Sequence, residues 1–470
     1  MKFAKDTRIH IFGHTPVLIH VKKWCRTSAS VLCASLLLTL LCWPGWQPVK
    51  ADSVIGTVAV GRTPVAVAVN PLTNKIYVAN DNGPMHTVTV IDGTNNSTTT
   101  VAVGEGPKAI AVNTVTNKIY VVSATSNNIT VIDGATNSTT TITLATHTIA
   151  VAVNPMTNKI YVVNTNDANN NFVSTVTVID GNDNSTINVG SDTGPMAVAV
   201  NPVTNKIYVT SFGAVTVIDG TNNSTTSVAD SAGPFAVAVN SVTNKIYVTD
   251  VVSNSVRVID GANNSTTTLS AGSFPFAVAV NSATNRIYVA NQTSANVTVI
   301  DGSDNTTTTV AAGMTPYDVA VNSVTNKTYV ANLANANVTV IDGANNRTTT
   351  VAAGVTPNAV AVNTATKRIY VTNKFFDTVT IIDGSVATVS VSGRVRTPDG
   401  RGLRNATASI TDSFGVSRTA TTSSFGFFSF DNVVTGDTYT FRISSRLFRF
   451  TPQTVQVNDN LTLPDFVGLE

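Results

Sequence analysis

An all-β architecture is what this sequence predicts, and three observations carry it. Short runs of β-branched residues alternate with Asn, Asp, Gly and Pro turns, and no stretch sustains a 3.6-residue apolar period. The tyrosines Tyr77, Tyr120, Tyr161, Tyr208, Tyr247, Tyr288, Tyr329 and Tyr370 recur at spacings of 43, 41, 47, 39, 41, 41 and 41 residues. Each is followed by an Ile-Asp-Gly triplet, the first at Asp92 and the last at Asp383. Eight units of about 42 residues, each with four strand candidates, predict an eight-bladed β-propeller of four-stranded blades, followed by a small β-sandwich.

Composition narrows the chemistry. The 470 residues are 43% hydrophobic, which excludes wholesale disorder. The formal charge of +2 misleads, because residues 1–51 hold seven of the 29 cations and one of the 27 acids. The other 419 residues carry 22 cations against 26 acids. All three cysteines (Cys25, Cys33, Cys42) and all three tryptophans lie in that leader, so disulfide and thiol chemistry are excluded beyond it.

Within the leader, Lys22, Lys23 and Arg26 precede the apolar run 31–43, and small residues Val49 and Ala51 follow. This pattern fits a secretory signal over 1–51, cleaved before Asp52. Thirteen apolar residues are fewer than the roughly 20 a bilayer crossing needs. An uncleaved anchor is the rival reading, and no second apolar run is long enough to span. The mature chain is therefore expected outside the cytoplasm: extracellular, at the cell surface, or periplasmic.

Each element of one unit can then be justified. Residues 66–69 (Ala-Val-Ala-Val) form an inner strand, with alanines where blades converge and both faces expected to be buried. Residues 70–74 make a turn, 75–79 a second strand, 87–91 a third, 92–97 another turn and 98–103 the fourth. Residues 57–61 (Thr-Val-Ala-Val-Gly) repeat 100–104, so the chain opens on a stray fourth strand. That strand should complete the eighth blade and remove its open edge, with residues 385–392 as the alternative.

Two resemblances follow from these residues. Tyr370-Val371-Thr372-Asn373, with Asn201-Pro202-Val203-Thr204-Asn205-Lys206-Ile207-Tyr208-Val209 and its siblings, resembles the YVTN-family β-propeller repeat over about 330 residues. Several copies depart to Tyr-Val-Ala-Asn or Tyr-Val-Val-Ser. The resemblance implies an exported or surface propeller and no single reaction. From about residue 389 the repeat stops, Arg occurs eight times and Lys never. Val391-Ser392-Gly393-Arg394-Val395, Pro398-Asp399-Gly400 and Ser424-Phe425-Gly426-Phe427-Phe428 resemble a carboxypeptidase regulatory-like, transthyretin-like domain over 389–470. Such modules resemble carbohydrate-binding folds and are not peptidases. The propeller itself spans 52–388.

The candidate chemistry is sparse. The Ile-Asp-Gly aspartates read as Asx turns, with Gly supplying positive φ; calcium ligation is the alternative, closest at 180–184. One cation per unit, from Lys75 to Arg368, could form an anion-binding rim or pair with a local carboxylate. His86, His147, Glu105 and Glu470 are the only histidines and glutamates beyond the leader. They give no triad, metal set or phosphate loop, so no cofactor and no metal is expected, and no nucleic-acid footprint exists.

Comparing copies gives a better lead. The residue just before each inner strand runs Val65, Lys108, Ile149, Met196, Phe235, Phe276, Tyr317, Asn358 between nearly constant neighbours. Met196, Phe235, Phe276 and Tyr317 should form an apolar arc at one channel mouth, with Asp318 replacing the usual Ala. That arc suits a sugar or a peptide; its alternative is side chains that merely fill the channel. The loop between second and third strands also varies, longest at 164–175 and carrying Phe375 and Phe376 in the last unit. The expectation is an exported binding or scaffold protein that recognises a surface glycan, envelope component or protein. A lactonase-like or lyase-like propeller enzyme and a structural surface-layer subunit are the alternatives.

Overall fold

The computed structural model describes residues 52–469 except 82–85, 168–171, 230–232, 386–387, 413–416 and 436. The leader reading therefore lies outside the described residues. Among the described residues no helix is long and apolar enough to cross a membrane.

Eight four-stranded antiparallel sheets form the propeller, the first seven running inner to outer in chain order. The first blade pairs Pro64–Asn70, Lys75–Asn80, Thr87–Asp92 and Thr98–Ala102. The eighth takes only Pro357–Asn363, Arg368–Asn373 and Thr378–Asp383 from its own repeat. Its fourth strand is Ser53–Ala59, with Ser53 opposite Asp383 and Ala59 opposite Thr378. Closure thus falls to the N-terminal strand. The competing segment instead enters Thr388–Arg396, the first strand of the C-terminal module.

The repeat explains the packing. Tyr77, Val88, Val90 and Val101 of blade one meet Ile119, Val121 and Ile132 of blade two, and equivalent clusters recur around the ring. Each blade therefore offers a Tyr-Val face to the next and an Ile-Val face to the one before. A fully buried aliphatic side chain contributes about 1.5–3 kcal/mol, so each seam is a core in its own right. Val58 of the closing strand enters the last seam beside Tyr370, Val379 and Ile381.

The expected burial of the inner strand needs correction. Its residues, such as Ala66 to Val69, are only half-buried, whereas the second and third strands are buried almost throughout. The inner strands line the central channel, and their alternation is muted because both faces are partly wet.

The C-terminal module is a pair of sheets. One holds Phe427–Val434, Thr388–Arg396 and Leu461–Thr462, with Phe466–Val467 also on the central strand. The other orders Ser417–Thr421, Thr407–Thr411, Asp437–Ser444 and Gln453–Val457. Val391, Val395, Ile410, Phe428, Phe430 and Phe441 fill the space between them.

Candidate binding face

The strand register fixes which features share an end of the propeller. Pro275, at the start of an inner strand, lies opposite Asn291, which ends the second strand and faces Asn296, where the third begins. The entry to each inner strand and the loop between second and third strands therefore sit together. The Asn-rich turns and Ile-Asp-Gly turns occupy the other end.

The variable position lies inside the inner strand rather than before it, Met196 excepted. The pairing skips it, as between Pro275 and Ala277 or Pro316 and Asp318. A bulge of this kind re-aims one side chain without disturbing the ladder on either side. Phe235, Phe276 and Tyr317 use it to form a continuous arc over three blades. Their ring centroids are 4.6 Å apart in both steps, with interplanar angles of 36° and 37°. Phe274 lies parallel to Phe276 at 6.2 Å. Met196 is half-exposed on the blade before. Asn358 closes the far end, buried and donating to the Val65 carbonyl at 3.3 Å.

Asp318 takes a different role from the one its sequence position suggests. Its Oδ1 accepts the Val319 N–H at 2.9 Å, and its Oδ2 accepts the Val360 N–H of the next blade at 2.8 Å. The residue is part-exposed, but its carboxyl group sits among protein atoms; that burial raises its pKa to about 6 against the two backbone donors. Asp318 therefore joins two inner strands.

Phe274 was not legible as a site residue. Its φ is +57°, a left-handed conformation that sister blades share at the same place, with Gly106 and Gly194 on two and Thr63, Thr315 and Thr356 on three. Phe212, Val252, Met314, Phe375 and Phe376 also stand exposed on this end, on blades four, five, seven and eight. Blades one and two carry Asp81, His86, Glu105 and Lys108 there instead, with Lys108 bonded to Asp81 at 2.7 Å and His86 3.9 Å from Glu105. The long loop of the third blade is a strand extension, Lys159–Asp167 and Phe172–Asp180.

The opposite end resolves into turn chemistry. All eight Ile-Asp-Gly aspartates accept the N–H two residues on, from Thr94 to Ser385. Positive φ belongs not to the Gly but to the Asn three residues later, such as Asn96 and Asn137. The Gly is required for space: a Cβ on Gly93 would lie 2.3 Å from Asn74 Oδ1. The repeated cations do not seek a local carboxylate. Lys75 donates to the Gly134 carbonyl at 2.6 Å and Lys206 to Gly261 at 2.8 Å, each clasping the next blade. Lys327 is the exception, pairing with Asp52 at 2.8 Å. Among the described residues no three His, Cys, Asp or Glu side chains gather as metal ligands would.

Comparison with known proteins agrees with this architecture. Residues 390–467 match the carboxypeptidase regulatory-like domain family. No curated protein matches the chain. Among solved structures it is similar to Kuenenia stuttgartiensis hydrazine synthase, at 17% identity and a TM-score of 0.51 over 69% of this chain and 96% of that one. It is also similar to Saccharomyces cerevisiae Sqt1, at 8% identity and a TM-score of 0.59 over 72% of this chain and all of the other. At such identities the likeness shows the fold alone: a β-propeller carrying a carboxypeptidase regulatory-like domain.

Proposed function

We propose that this is an exported, non-enzymatic binding protein of the YVTN-repeat kind, which holds a surface glycan, envelope component or protein at the arc-bearing end of its propeller. The observation that carries the reading is the arc itself. Three successive blades place Phe235, Phe276 and Tyr317 in contact at 4.6 Å steps, half-exposed at the channel mouth. Concave apolar surface with few polar groups is what non-covalent recognition uses. Phe274 widens the arc, its ring near-parallel to that of Phe276 at 6.2 Å. His86 and Glu105 belong to the first two blades, away from the arc's three, which fits a site that binds without reacting. The leader supports export and the C-terminal module an attachment role.

The test is retention of the chain on host envelope and a polysaccharide panel, with Phe235→Ala, Phe276→Ala and Tyr317→Ala compared one by one. Weakened retention in all three is expected. Retention unchanged by any of them would remove the arc from the site.

A further inference from the structure

The arc-bearing end also carries a wider apolar crescent, and the C-terminal module carries a second apolar patch. Phe212, Val252, Phe274, Met314, Phe375 and Phe376 stand exposed on five consecutive blades, Phe375 at 73%. On the module, Phe425, Phe427, Leu447, Val467 and Leu469 are exposed, Leu447 at 77%. Isolated exposed apolar residues are ordinary, but clustered Phe and Met, here with exposed Lys374 beside Phe375 and with Arg394 beside Phe427, are enriched at protein interfaces. Neither patch covers the other within one chain.

The module residues gather at one place. Arg394 pairs with Phe427 across the sheet, Arg396 with Val467, and Arg449 bridges to Leu469. The strand Thr388–Arg396 enters from the propeller at its first residue, so its nine residues carry this tip roughly 30 Å from the entry point. The chain leaves the propeller at Asp383, opposite Ser53 and Arg368, at the end of the blades that faces away from the crescent. One chain therefore presents a receptor surface and a plug that emerge from opposite ends of its blades.

We infer that the partner held at the arc-bearing end is the C-terminal tip of a second copy of this chain. The inference rests on the reading of that end as a binding face. Three features favour this occupant. First, Phe235 and Tyr317 flank Phe276 while Phe274 lies parallel to it, so the middle ring has little open face for a sugar. Second, the tip offers what an aromatic mouth accepts: Phe side chains, and Arg394 already stacked 4.9 Å over Phe427. Third, the propeller has 14 cations against 19 acids, whereas the module has eight arginines against seven acids. Two crescents meeting would bring like charge together; a crescent meeting a tip does not. The contact is heterologous, and unless its rotation closes a ring it propagates into open chains.

Sedimentation velocity of the full chain across a wide concentration range tests this. A growing series of oligomers is expected. Phe375→Ser with Phe376→Ser removes the receptor surface, and Phe425→Ser with Leu447→Ser removes the plug. All four positions are exposed, so each double variant should keep the wild-type urea midpoint. Either variant alone should be monomeric, and their mixture should stop at a dimer, because only one interface remains intact. A monomeric wild type, or self-association that survives in either variant, overturns the inference. Glycan retention that depends on the arc in a chain that stays monomeric also overturns it, while leaving the binding-face reading intact. Self-association through these patches without glycan retention supports it.

Discussion

The side-chain amide of Asn70 donates to the side-chain oxygen of Asn117 across the first seam, at 2.8 Å. Six equivalent bonds follow, ending with Asn363 to Asn74 at 2.8 Å, so an Asn ladder runs around the propeller. It breaks once. Lys367 stands where the acceptor belongs, and the buried Asn322 Nδ2 has no partner. Each bond links the end of one inner strand to a left-handed turn residue of the next blade.

Lys367→Asn should therefore stabilise the chain. It supplies the missing acceptor and suits the φ of +59° at that position better than lysine does. The expected gain is about 1 kcal/mol, read as a higher urea midpoint. An unchanged midpoint would mean that the ladder adds nothing to seam strength.

Gly93→Ala should cost about 1–3 kcal/mol, because its Cβ would also lie 2.7 Å from the Asn74 carbonyl oxygen. Gly190→Ala is the control, with nothing within 4 Å of the added atom. Equal urea midpoints for the two variants would contradict the close-approach account.

These turns show where sequence reasoning reached and where it stopped. Blade number, strand order and closure were legible because Tyr77 and its seven sisters mark one structural position each, and residues 57–61 repeat 100–104. The arc was legible because Phe276 and Tyr317 vary between fixed neighbours. The role of Asp318 was not, since its partners are backbone N–H groups on Val319 and Val360, which no side-chain pattern announces. Lys75 misled for the same reason, its acceptor being a carbonyl 59 residues away. Phe212 and Met314 escaped notice because single apolar residues in loops carry no periodicity.

Asp52 and Lys327 form a pair at 2.8 Å whose side chains are 2% and 16% exposed. Lys327→Met should destabilise by about 3 kcal/mol by leaving a buried carboxylate without its cation. Thermal unfolding of the two single variants and of Asp52→Asn/Lys327→Met together checks this; additive single effects would contradict direct coupling.

Asp318 should give the fold a pH dependence of its own. Its folded pKa, raised to about 6, exceeds the unfolded value of about 3.9, so the folded state holds the proton more tightly. Its contribution therefore falls as pH rises from about 4 through 6 and then levels off. Asp318→Ala, the residue at Ala277 and its other sisters, should remove that slope. The difference in urea midpoint between wild type and variant, followed against pH, would be flat if the carboxyl were not buried.

Phe274→Gly separates binding from folding. The exchange relieves a left-handed aromatic residue, so it should cost less than about 0.5 kcal/mol while weakening partner retention. Lost stability with full retention would assign Phe274 to the scaffold.

The most direct test of the binding face uses Tyr317. Of ten tyrosines, the other nine are buried and Tyr317 alone is half-exposed. Nitration of the full chain with tetranitromethane, mapped by peptide mass, should mark Tyr317 in dilute free protein. With the partner bound, whether a second copy or an envelope component, Tyr317 should be protected. Undiminished nitration of Tyr317 in a saturated complex would contradict the account and move recognition away from the arc.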